Sequence, residues 1–277
     1  MLVEGFAESA GSDRRSVRVG LQTLHLGDAL EVLSFMQEDS VDVVVTSPPY
    51  NLGIRYGTHK DDEPRDQYLI WMRQVAKSLA RVLRPTGSLF LNVGASNSDP
   101  WVAYDVANEF RHEFVLQNDF KWIKSITVDG RTRGHFKPIN SRRYTHHNHE
   151  TVFHFTVDGK VEIDRLSVGV PYADKSNIGR RGHKSDLRCD GNVWFIPYRT
   201  VKSRIQKYDH PAGFPIELAT RCLKLSGNFG TMLDPFVGTG TSCVAAEQLG
   251  LRGIGIDVDR DYLNTAYSRI RVLGNES

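Results

Sequence analysis

Residues 46–50, with the sequence Thr-Ser-Pro-Pro-Tyr, constrain the fold most, because they stop an apolar run abruptly. The run before them, residues 41–45, is Val-Asp-Val-Val-Val, and its β-branched residues predict a buried strand. Neither proline can donate a backbone N–H, so the strand cannot continue past Ser47. The pattern predicts a rigid corner at a strand's carboxyl end, which is where open α/β sheets bind ligands. A strand that simply ends at prolines, with Tyr50 packed in the core, is the alternative.

Strand and helix patterns alternate along the rest of the chain, which predicts the α/β class. The first helix is expected to bury Leu30, Leu33, Phe35 and Met36, and the second to begin at an Asp66 N-cap. Residues 51–64 are polar with two glycines and are predicted to form a mobile loop. The predicted strands cover residues 24–26, 41–46, 88–93, 115–124, 151–157, 231–233 and 252–256, and the predicted helices cover 29–36, 66–83, 99–110, 215–227, 241–249 and a last stretch from about 260.

The composition sets the broad class of the protein. At 277 residues, with 40% hydrophobic and 25% charged residues, the chain resembles an ordinary globular protein with a full core. Its three cysteines, Cys189, Cys222 and Cys243, form no CxxC motif, which indicates a reducing, cytoplasmic setting. No apolar run is long enough to cross a membrane. Residues 1–20 are polar and small, so we expect a flexible arm followed by one domain at 21–277.

Charge is distributed unevenly along the sequence. Residues 121–209 carry 18 Lys and Arg against 9 Asp and Glu, a net of +9, and the other residues carry 17 against 24. One basic segment in an otherwise acidic chain predicts a polyanion bound on one face, with a solvated charge-rich surface as the alternative. We therefore place a loop-rich recognition region at about 125–209, where the candidate polyanion-binding residues are Arg131, Arg133, Arg142, Arg143, Arg180, Arg181, Lys184 and Arg188.

A second motif, Asp-Pro-Phe-Val-Gly-Thr-Gly-Thr at residues 234–241, lies between a predicted strand and a predicted helix. Two glycines one residue apart let the backbone pass close to a ligand, and free helix N–H groups suit an anion such as a carboxylate. The third glycine of the dinucleotide-binding motif is missing. The next strand ends at Asp257, about the distance at which an acid meets ribose hydroxyls. Together these features predict a site for a nucleoside-type ligand whose anionic group is a carboxylate. S-adenosylmethionine fits that description.

These two motifs make the chain resemble the amino-methylating DNA methyltransferases, which modify an exocyclic nitrogen of cytosine or adenine. The Ser-Pro-Pro-Tyr motif precedes the glycine motif, as in the beta class of that family. Gly27-Asp28, His149-Glu150 and His210-Pro211 are further matches, so the resemblance covers nearly the whole chain. It implies a Rossmann-like α/β fold of the S-adenosylmethionine-dependent methyltransferases, with a mostly parallel twisted sheet, helices on both faces and a small loop-rich target-recognition insertion.

The resemblance also implies a role for each matching residue. The implied reaction transfers a methyl group from S-adenosylmethionine to a base flipped out of duplex DNA. The base would be received by Ser47, Pro48, Pro49 and Tyr50. The cofactor would be bound by Asp28 near its adenine, by Asp257 at its ribose, by Asp234, Phe236, Gly238, Thr239, Gly240 and Thr241 along its methionine end, and by His210, Pro211 and Pro215 closing that end.

The chemistry of amino methylation agrees with these roles. An amino nitrogen conjugated to its ring is a poor nucleophile. Acceptors on its hydrogens, here the Pro48 carbonyl and the Ser47 hydroxyl, would favour a tetrahedral nitrogen whose lone pair can attack. A sulfonium methyl is already activated, so in-line placement contributes much of the rate. Stacking on Tyr50 would offset part of the cost of flipping.

Ser47 bears on the choice of base. Adenine-modifying members of the family usually carry an acidic residue or Asn at this position, whereas Ser-Pro-Pro-Tyr resembles the cytosine-N4 members. We therefore expect N4-cytosine methylation of DNA, with adenine N6 as the alternative and RNA or a protein glutamine as more remote ones.

Metal chemistry is not expected from this sequence. His146, His147, His149 and Cys189 have a spacing that matches no structural zinc pattern, and methyl transfer from a sulfonium needs no metal. The pair His149-Glu150 is interpreted as the structural entry to a strand, with an acid/base pair as the alternative. The expected partner is double-stranded DNA, with a separate cognate restriction endonuclease as a further candidate, and the chain is expected to be a monomer or a homodimer.

Overall fold

A computed structural model describes residues 6, 15–51, 55–56, 59–60, 63–128, 131–134, 140–180, 185–197, 213–227 and 230–274, with the backbone alone at 55–56, 59–60, 126–128, 131–134 and 274. None of the helices in these ranges is both long and apolar enough to cross a bilayer. The strands are β1 (Ser16–Val19), β2 (Gln22–Leu26), β3 (Val41–Thr46), β4 (Arg55–Tyr56), β5 (His59–Lys60), β6 (Leu83–Val93), β7 (Val115–Val128), β8 (Arg131–Gly134), β9 (His149–Thr156), β10 (Val193–Pro197), β11 (Thr231–Asp234) and β12 (Arg252–Asp257). The helices are α1 (Ala29–Phe35), α2 (Arg65–Val82), α3 (Val102–Phe110), α4 (Ile216–Leu225), α5 (Thr241–Gln248) and α6 (Arg260–Gly274), with one 3-10 turn at Lys175–Asn177.

One mixed sheet organises the molecule, with the strand order β1-β2-β12-β11-β3-β6-β9-β7-β10 and β8 paired to β7. The five strands from β2 to β6 in this order are parallel, whereas β9 is antiparallel to both β6 and β7. This α/β sheet confirms the predicted fold class. Because neighbouring parallel strands end at the same edge, the chain leaves β3, β11 and β12 side by side, at Thr46, Asp234 and Asp257.

Helices cover both faces of the sheet. Buried residues of α4, α5 and α6 form one apolar cluster, and buried residues of α1, α2 and α3 form a second. Strand β3 contributes to both clusters, with Val43 and Val45 in the first and Val44 in the second. Such a strand is buried on both faces, which is why its sequence is nearly continuous in valine.

Two predictions about the first helices were wrong, the burial of Phe35 and the N-cap at Asp66. Leu33 is buried and Leu30 and Met36 are partly buried against the same cluster, as predicted, whereas Phe35 lies off that face of the helix and is 83% exposed. Helix α2 begins at Arg65 with Pro64 as its N-cap residue, so Asp66 is not the cap. Asp66 instead lies in the first turn, where a carboxylate favours the positive end of the helix dipole.

Segments predicted as irregular contain strands. The flexible-arm prediction for residues 1–20 was wrong at Ser16–Val19, which pairs antiparallel with β2. Phe6 is also buried, and its N–H donates to Asn264 Oδ1 at 2.9 Å. Within the predicted loop 51–64, β4 and β5 pair as a short ribbon. The other parts of the arm and loop, residues 1–5, 7–14, 52–54, 57–58 and 61–62, lie outside the described residues.

The predicted recognition region at 125–209 is partly built into the main sheet. Strands β9 and β10 belong to it, and each pairs with β7. Between β9 and β10 the chain forms a long excursion, closed by an antiparallel bridge between Val170 and Arg188. The region therefore extends one edge of the sheet rather than forming a separate unit.

Candidate active site

The two motifs of the sequence meet at the carboxyl edge of the sheet. Strands β3 and β11 are neighbours, with Val43 opposite Met232 and Val44 opposite Leu233. At the ends of these strands, the Thr46 hydroxyl donates to Asp234 Oδ1 at 2.7 Å. The Pro-Pro corner and the glycine loop, far apart in sequence, are therefore joined by a buried hydrogen bond.

Asp234 connects three elements through its carboxylate. Besides the bond from Thr46, Oδ1 accepts from the Phe236 N–H at 3.0 Å and Oδ2 accepts from the Ser242 hydroxyl at 2.5 Å. The side chain is buried, and burial raises its pKa to about 6, against the lowering effect of these hydrogen bonds. Because its oxygens already have partners within the chain, Asp234 holds the loop and the first turn of α5 in place.

A cavity of about 190 Å³ opens beside this junction. All four residues of the Pro-Pro corner, Ser47, Pro48, Pro49 and Tyr50, line it. Its lining also includes acidic and aromatic residues, namely Asp28, Asp257 and Asp259 together with Trp71, Phe236 and Tyr262. The predicted base-receiving corner and part of the predicted cofactor site thus share one space.

Asp257 shapes the loop that borders the cavity. Its Oδ2 accepts from the Gly238 N–H at 2.8 Å, and its Oδ1 accepts from the Asp259 N–H at 2.9 Å. Desolvation raises the pKa of this carboxyl group to about 6, although the backbone hydrogen bonds act in the opposite direction. The acid predicted to meet a ribose is therefore oriented by backbone groups and still borders the cavity.

The glycine loop lies behind the cavity wall. Gly238, Thr239, Gly240 and Thr241 are not among the residues that line the cavity, and neither are Asp234 and Pro215. The Thr239 carbonyl accepts from Arg269 Nη1 at 2.6 Å, which ties the loop to α6. Pro215 is the N-cap residue of α4. The structure thus brings Asp28, Phe236 and Asp257 to the cavity, and the cofactor roles of the other described candidates stay predictions.

Gly240→Ala is expected to destabilise the fold. Gly240 has φ of +85°, and a Cβ added there would lie 2.6 Å from the Cβ of Ala266. Both the left-handed backbone and the contact with α6 oppose a side chain, so we expect a loss of about 2–4 kcal/mol in the free energy of unfolding. Chemical denaturation measures this loss in the free energy of unfolding. Gly250→Ala is the matched control, because Gly250 has φ of +70° with no atom within 4 Å of the added Cβ. Equal losses in the two variants would contradict the packing argument.

A hydrogen-bond network surrounds the corner. The Ser47 and Tyr50 hydroxyls lie 2.6 Å apart, and the Tyr50 hydroxyl donates to Glu150 Oε2 at 3.2 Å. Asn92 Nδ2 donates to the Tyr50 hydroxyl oxygen at 2.9 Å and to the same Glu150 oxygen at 2.7 Å. Lys124 Nζ lies 2.5 Å from Glu150 Oε1. Tyr50 is only 6% exposed, so its ring is largely packed in this state.

Sequence reasoning missed several of these residues. Trp71 and Tyr262 line the cavity from helices α2 and α6, and the ring centroids of Trp71 and Phe236 lie 5.4 Å apart. Asn92 of β6 contacts Tyr50 and Lys124 of β7 contacts Glu150, and no motif marked either residue. Glu150 could be singled out from the sequence, since it belongs to the His149-Glu150 pair at the start of β9.

The candidate DNA-binding residues are distributed over three segments. Arg142 and Arg143 are exposed in the loop before β9, and the Arg143 guanidinium lies 5.2 Å from the centroid of the Tyr144 ring. Arg180 and Arg188 are exposed in the excursion between β9 and β10. Arg131 and Arg133 lie in β8, of which the backbone alone is described. Arg181, Lys184, His210 and Pro211 lie outside the described residues.

Comparisons with known proteins agree with this site. A family model for N6 and N4 methyltransferases, described as DNA methylase, matches residues 41–268. Type II methyltransferase M.HpaI of Haemophilus parainfluenzae is 29% identical over 260 residues, which are 90% of this chain and 74% of that protein. A proposed DNA modification methylase of Thermus thermophilus, solved in complex with S-adenosyl-L-methionine, has a TM-score of 0.60 at 26% identity, over 89% of this chain and 92% of its own. The cytosine-N4-specific PvuII DNA methyltransferase shares the fold, with a TM-score of 0.68 at 20% identity over 92% of both chains.

Proposed function

This chain belongs to the N6/N4 family of DNA methylases, and on that premise we propose that it methylates the exocyclic N4 of a cytosine flipped out of duplex DNA, with S-adenosylmethionine as the cofactor. One observation carries the proposal. Residues 47–50 and Asp257 line the same cavity, so a base at the corner and a nucleoside cofactor would be neighbours. Proximity of this kind is what methyl transfer between two bound molecules requires.

The walls of the cavity suit S-adenosylmethionine. Asp28, Asp257 and Asp259 place carboxylates around it, and no Lys or Arg is among its described lining residues. Carboxylates favour a ligand that carries a sulfonium and an ammonium group, and those of Asp257 also suit ribose hydroxyls. Aromatic rings of Trp71 and Phe236 offer apolar faces to an adenine. The Thermus thermophilus relative, which was solved with this cofactor, supports the assignment.

The reaction places few demands on the protein beyond position and hydrogen bonding. When bound, the cofactor supplies a methyl group on a sulfonium, which is activated for transfer. The Pro48 carbonyl and the Ser47 hydroxyl accept the hydrogens of the target amino group and so favour a tetrahedral nitrogen. The Pro-Pro corner fixes these two acceptors rigidly, because both prolines have a restricted φ. Exposed arginines such as Arg142 and Arg188 contact the DNA backbone or base edges.

The choice of cytosine rests on Ser47. Its neutral hydroxyl stands where adenine-modifying members of the family usually carry an acid or Asn, and a hydroxyl meets a different base edge than a carboxylate or amide does. Adenine N6 is the second candidate, because the family model covers both kinds of methylase.

A labelled-transfer assay is expected to give N4-methylcytosine. The protein is incubated with methyl-labelled S-adenosylmethionine and duplex DNA of high sequence complexity prepared by amplification, which carries no methylation. Digestion to nucleosides and mass spectrometry then identify the labelled base. Parallel reactions contain single-stranded DNA, total RNA or bacterial protein. Label in N6-methyladenine would overturn the base assignment, and label in RNA or protein alone would overturn the DNA substrate.

A further inference from the structure

The reaction of the proposed function releases a proton that needs an acceptor. As the bond between the amino nitrogen and the methyl carbon forms, the carbon–sulfur bond breaks and its electron pair stays on sulfur. The nitrogen then carries two hydrogens and a methyl group with a positive charge, so one proton must leave. This inference rests on the proposed function, and it applies equally to an amino group of cytosine or of adenine.

A continuous line of polar groups leads away from the corner. It begins at the Ser47 hydroxyl beside the cavity, passes 2.6 Å to the Tyr50 hydroxyl, and reaches Glu150 Oε2 after a further 3.2 Å. The Tyr50 end is buried, whereas the cation beside Glu150, Lys124, is 32% exposed. A proton that enters at Ser47 thus has a hydrogen-bonded route to a carboxylate near the surface.

Asn92 sets the direction of the hydrogen bonds in this line. Its amide Nδ2 is a donor, and it occupies one lone pair of the Tyr50 hydroxyl oxygen at 2.9 Å. The Tyr50 proton points to Glu150, so the remaining lone pair of Tyr50 accepts from the Ser47 hydroxyl. The Ser47 oxygen then keeps its lone pairs for a hydrogen of the target amino group. Every donor in the line therefore points away from the cavity.

The carboxylate at the end of the line is held in place on both oxygens. Lys124 Nζ lies 2.5 Å from Oε1, and Oε2 accepts from Asn92 at 2.7 Å and from Tyr50. These bonds come from three different strands or loops, which orients Oε2 towards the Tyr50 hydroxyl. The side chain of Glu150 is 11% exposed, and it reaches the cavity through Tyr50, which lines it.

We propose that Glu150, acting through Tyr50 and Ser47, takes up the proton that the target amino group loses. As the nitrogen–carbon bond forms, an amino proton moves to Ser47 Oγ, the Ser47 proton moves to the Tyr50 oxygen, and the Tyr50 proton moves to Glu150 Oε2. The carboxylic acid afterwards returns the proton to solvent. Glu150 is thus a positioning residue of a relay, and Tyr50 contributes its hydroxyl as well as its ring.

The test compares Glu150→Gln, Tyr50→Phe and the double variant in single-turnover methyl transfer with saturating cofactor and DNA. Glutamine keeps the size of the side chain and an acceptor oxygen but takes up no proton, and phenylalanine keeps the ring. Each single variant is expected to slow transfer by about 10- to 100-fold. Because both changes interrupt one relay, the double variant is expected to be no slower than the slower single variant. Glu150→Asp, which keeps the carboxylate, is expected to recover part of the rate.

A solvent readout separates the relay from a structural role. In mixtures of H2O and D2O, the wild-type rate is expected to curve with deuterium fraction, because several protons move together, and Tyr50→Phe is expected to lose the curvature. Glu109→Gln is the matched control, since Glu109 is a similarly buried carboxylate whose partner, Arg73, lies 2.6 Å away on α2. We expect it to transfer at the wild-type rate.

Several results would overturn the relay. These are multiplicative losses in the double variant, a linear wild-type response to deuterium, or wild-type transfer by Glu150→Gln. If Glu150→Gln fails to fold, Glu150→Asp and Tyr50→Phe decide through the same deuterium measurement. Wild-type protein that labels no nucleic acid at all would instead refute the proposed function, so the two failures are distinguishable.

Discussion

Asp234→Ala is expected to lower the free energy of unfolding by at least about 3 kcal/mol, because it leaves two buried donors and one partly buried donor without an acceptor, at about 1–3 kcal/mol each. The donors are the Thr46 hydroxyl, the Ser242 hydroxyl and the Phe236 N–H. Their loss separates the Pro-Pro corner from the glycine loop, so the damage falls on the joint between the two motifs. Urea unfolding followed by circular dichroism measures the change.

Asp234→Asn provides the matched comparison. Asparagine keeps an acceptor for Thr46 and Phe236, and its amide can donate to the Ser242 oxygen once that hydroxyl rotates. We therefore expect Asp234→Asn to lose much less stability than Asp234→Ala. Similar losses in the two variants would show that the site tolerates no change at all, and a loss below about 1 kcal/mol for alanine would contradict the role of a buried connector.

The difference in unfolding free energy between Asp234→Asn and the wild type is also expected to depend on pH. Burial raises the folded-state pKa of Asp234 to about 6, above the ordinary value of 3.8 for an aspartate. The folded state therefore binds more protons than the unfolded state between about pH 4 and 6, and this group's contribution to wild-type stability falls as the pH rises through that window. The stability of Asp234→Asn relative to wild type is expected to rise by up to about 3 kcal/mol over it. Asp257 has a raised pKa as well, but it is present in both proteins, so it enters the difference only through its charge interaction with Asp234. A difference that stays constant with pH would contradict this account.

Asp257→Ala is expected to weaken S-adenosylmethionine binding by about 100-fold or more, since each hydrogen bond to a charged acceptor contributes about 1.5–3 kcal/mol and tenfold in affinity is about 1.4 kcal/mol. The carboxylate would hold the ribose hydroxyls while it orients the loop through Gly238. Isothermal titration calorimetry with the cofactor alone, without DNA, measures the effect directly.

Asp42→Asn controls for the loss of a partly buried carboxylate elsewhere in the sheet. Asp42 lies at the opposite end of β3, where its Oδ2 accepts from the Thr231 N–H at 2.7 Å. It does not line the cavity, so cofactor affinity is expected to stay within about twofold of wild type. Cofactor affinity of Asp257→Ala within about threefold of wild type would remove Asp257 from the cofactor site.

Much of the fold followed from local sequence rules. Valine-rich β3, the proline pair that ends it and the glycine turn before α5 are each determined by covalent geometry and side-chain shape over a few residues. Each motif follows a predicted strand, and in the structure these strands, β3 and β11, are neighbours. Where local rules failed, the missed features were themselves local: Phe35 lies off the buried face of α1, and Ser16–Val19 forms a hairpin with β2 across a short turn.

The sequence by itself thus determined the α/β class, the rigid Ser-Pro-Pro-Tyr corner and the family resemblance. Only the tertiary structure decided which groups surround that corner. Asn92 of β6 and Glu150 of β9 contact Tyr50, and Lys124 of β7 contacts Glu150, because β9 pairs antiparallel with both neighbours. Strand order and register depend on contacts between residues far apart in the chain, which no local pattern encodes. The tertiary structure also showed that Asp234 is a buried link between the two halves of the site, while its cofactor role stays a prediction.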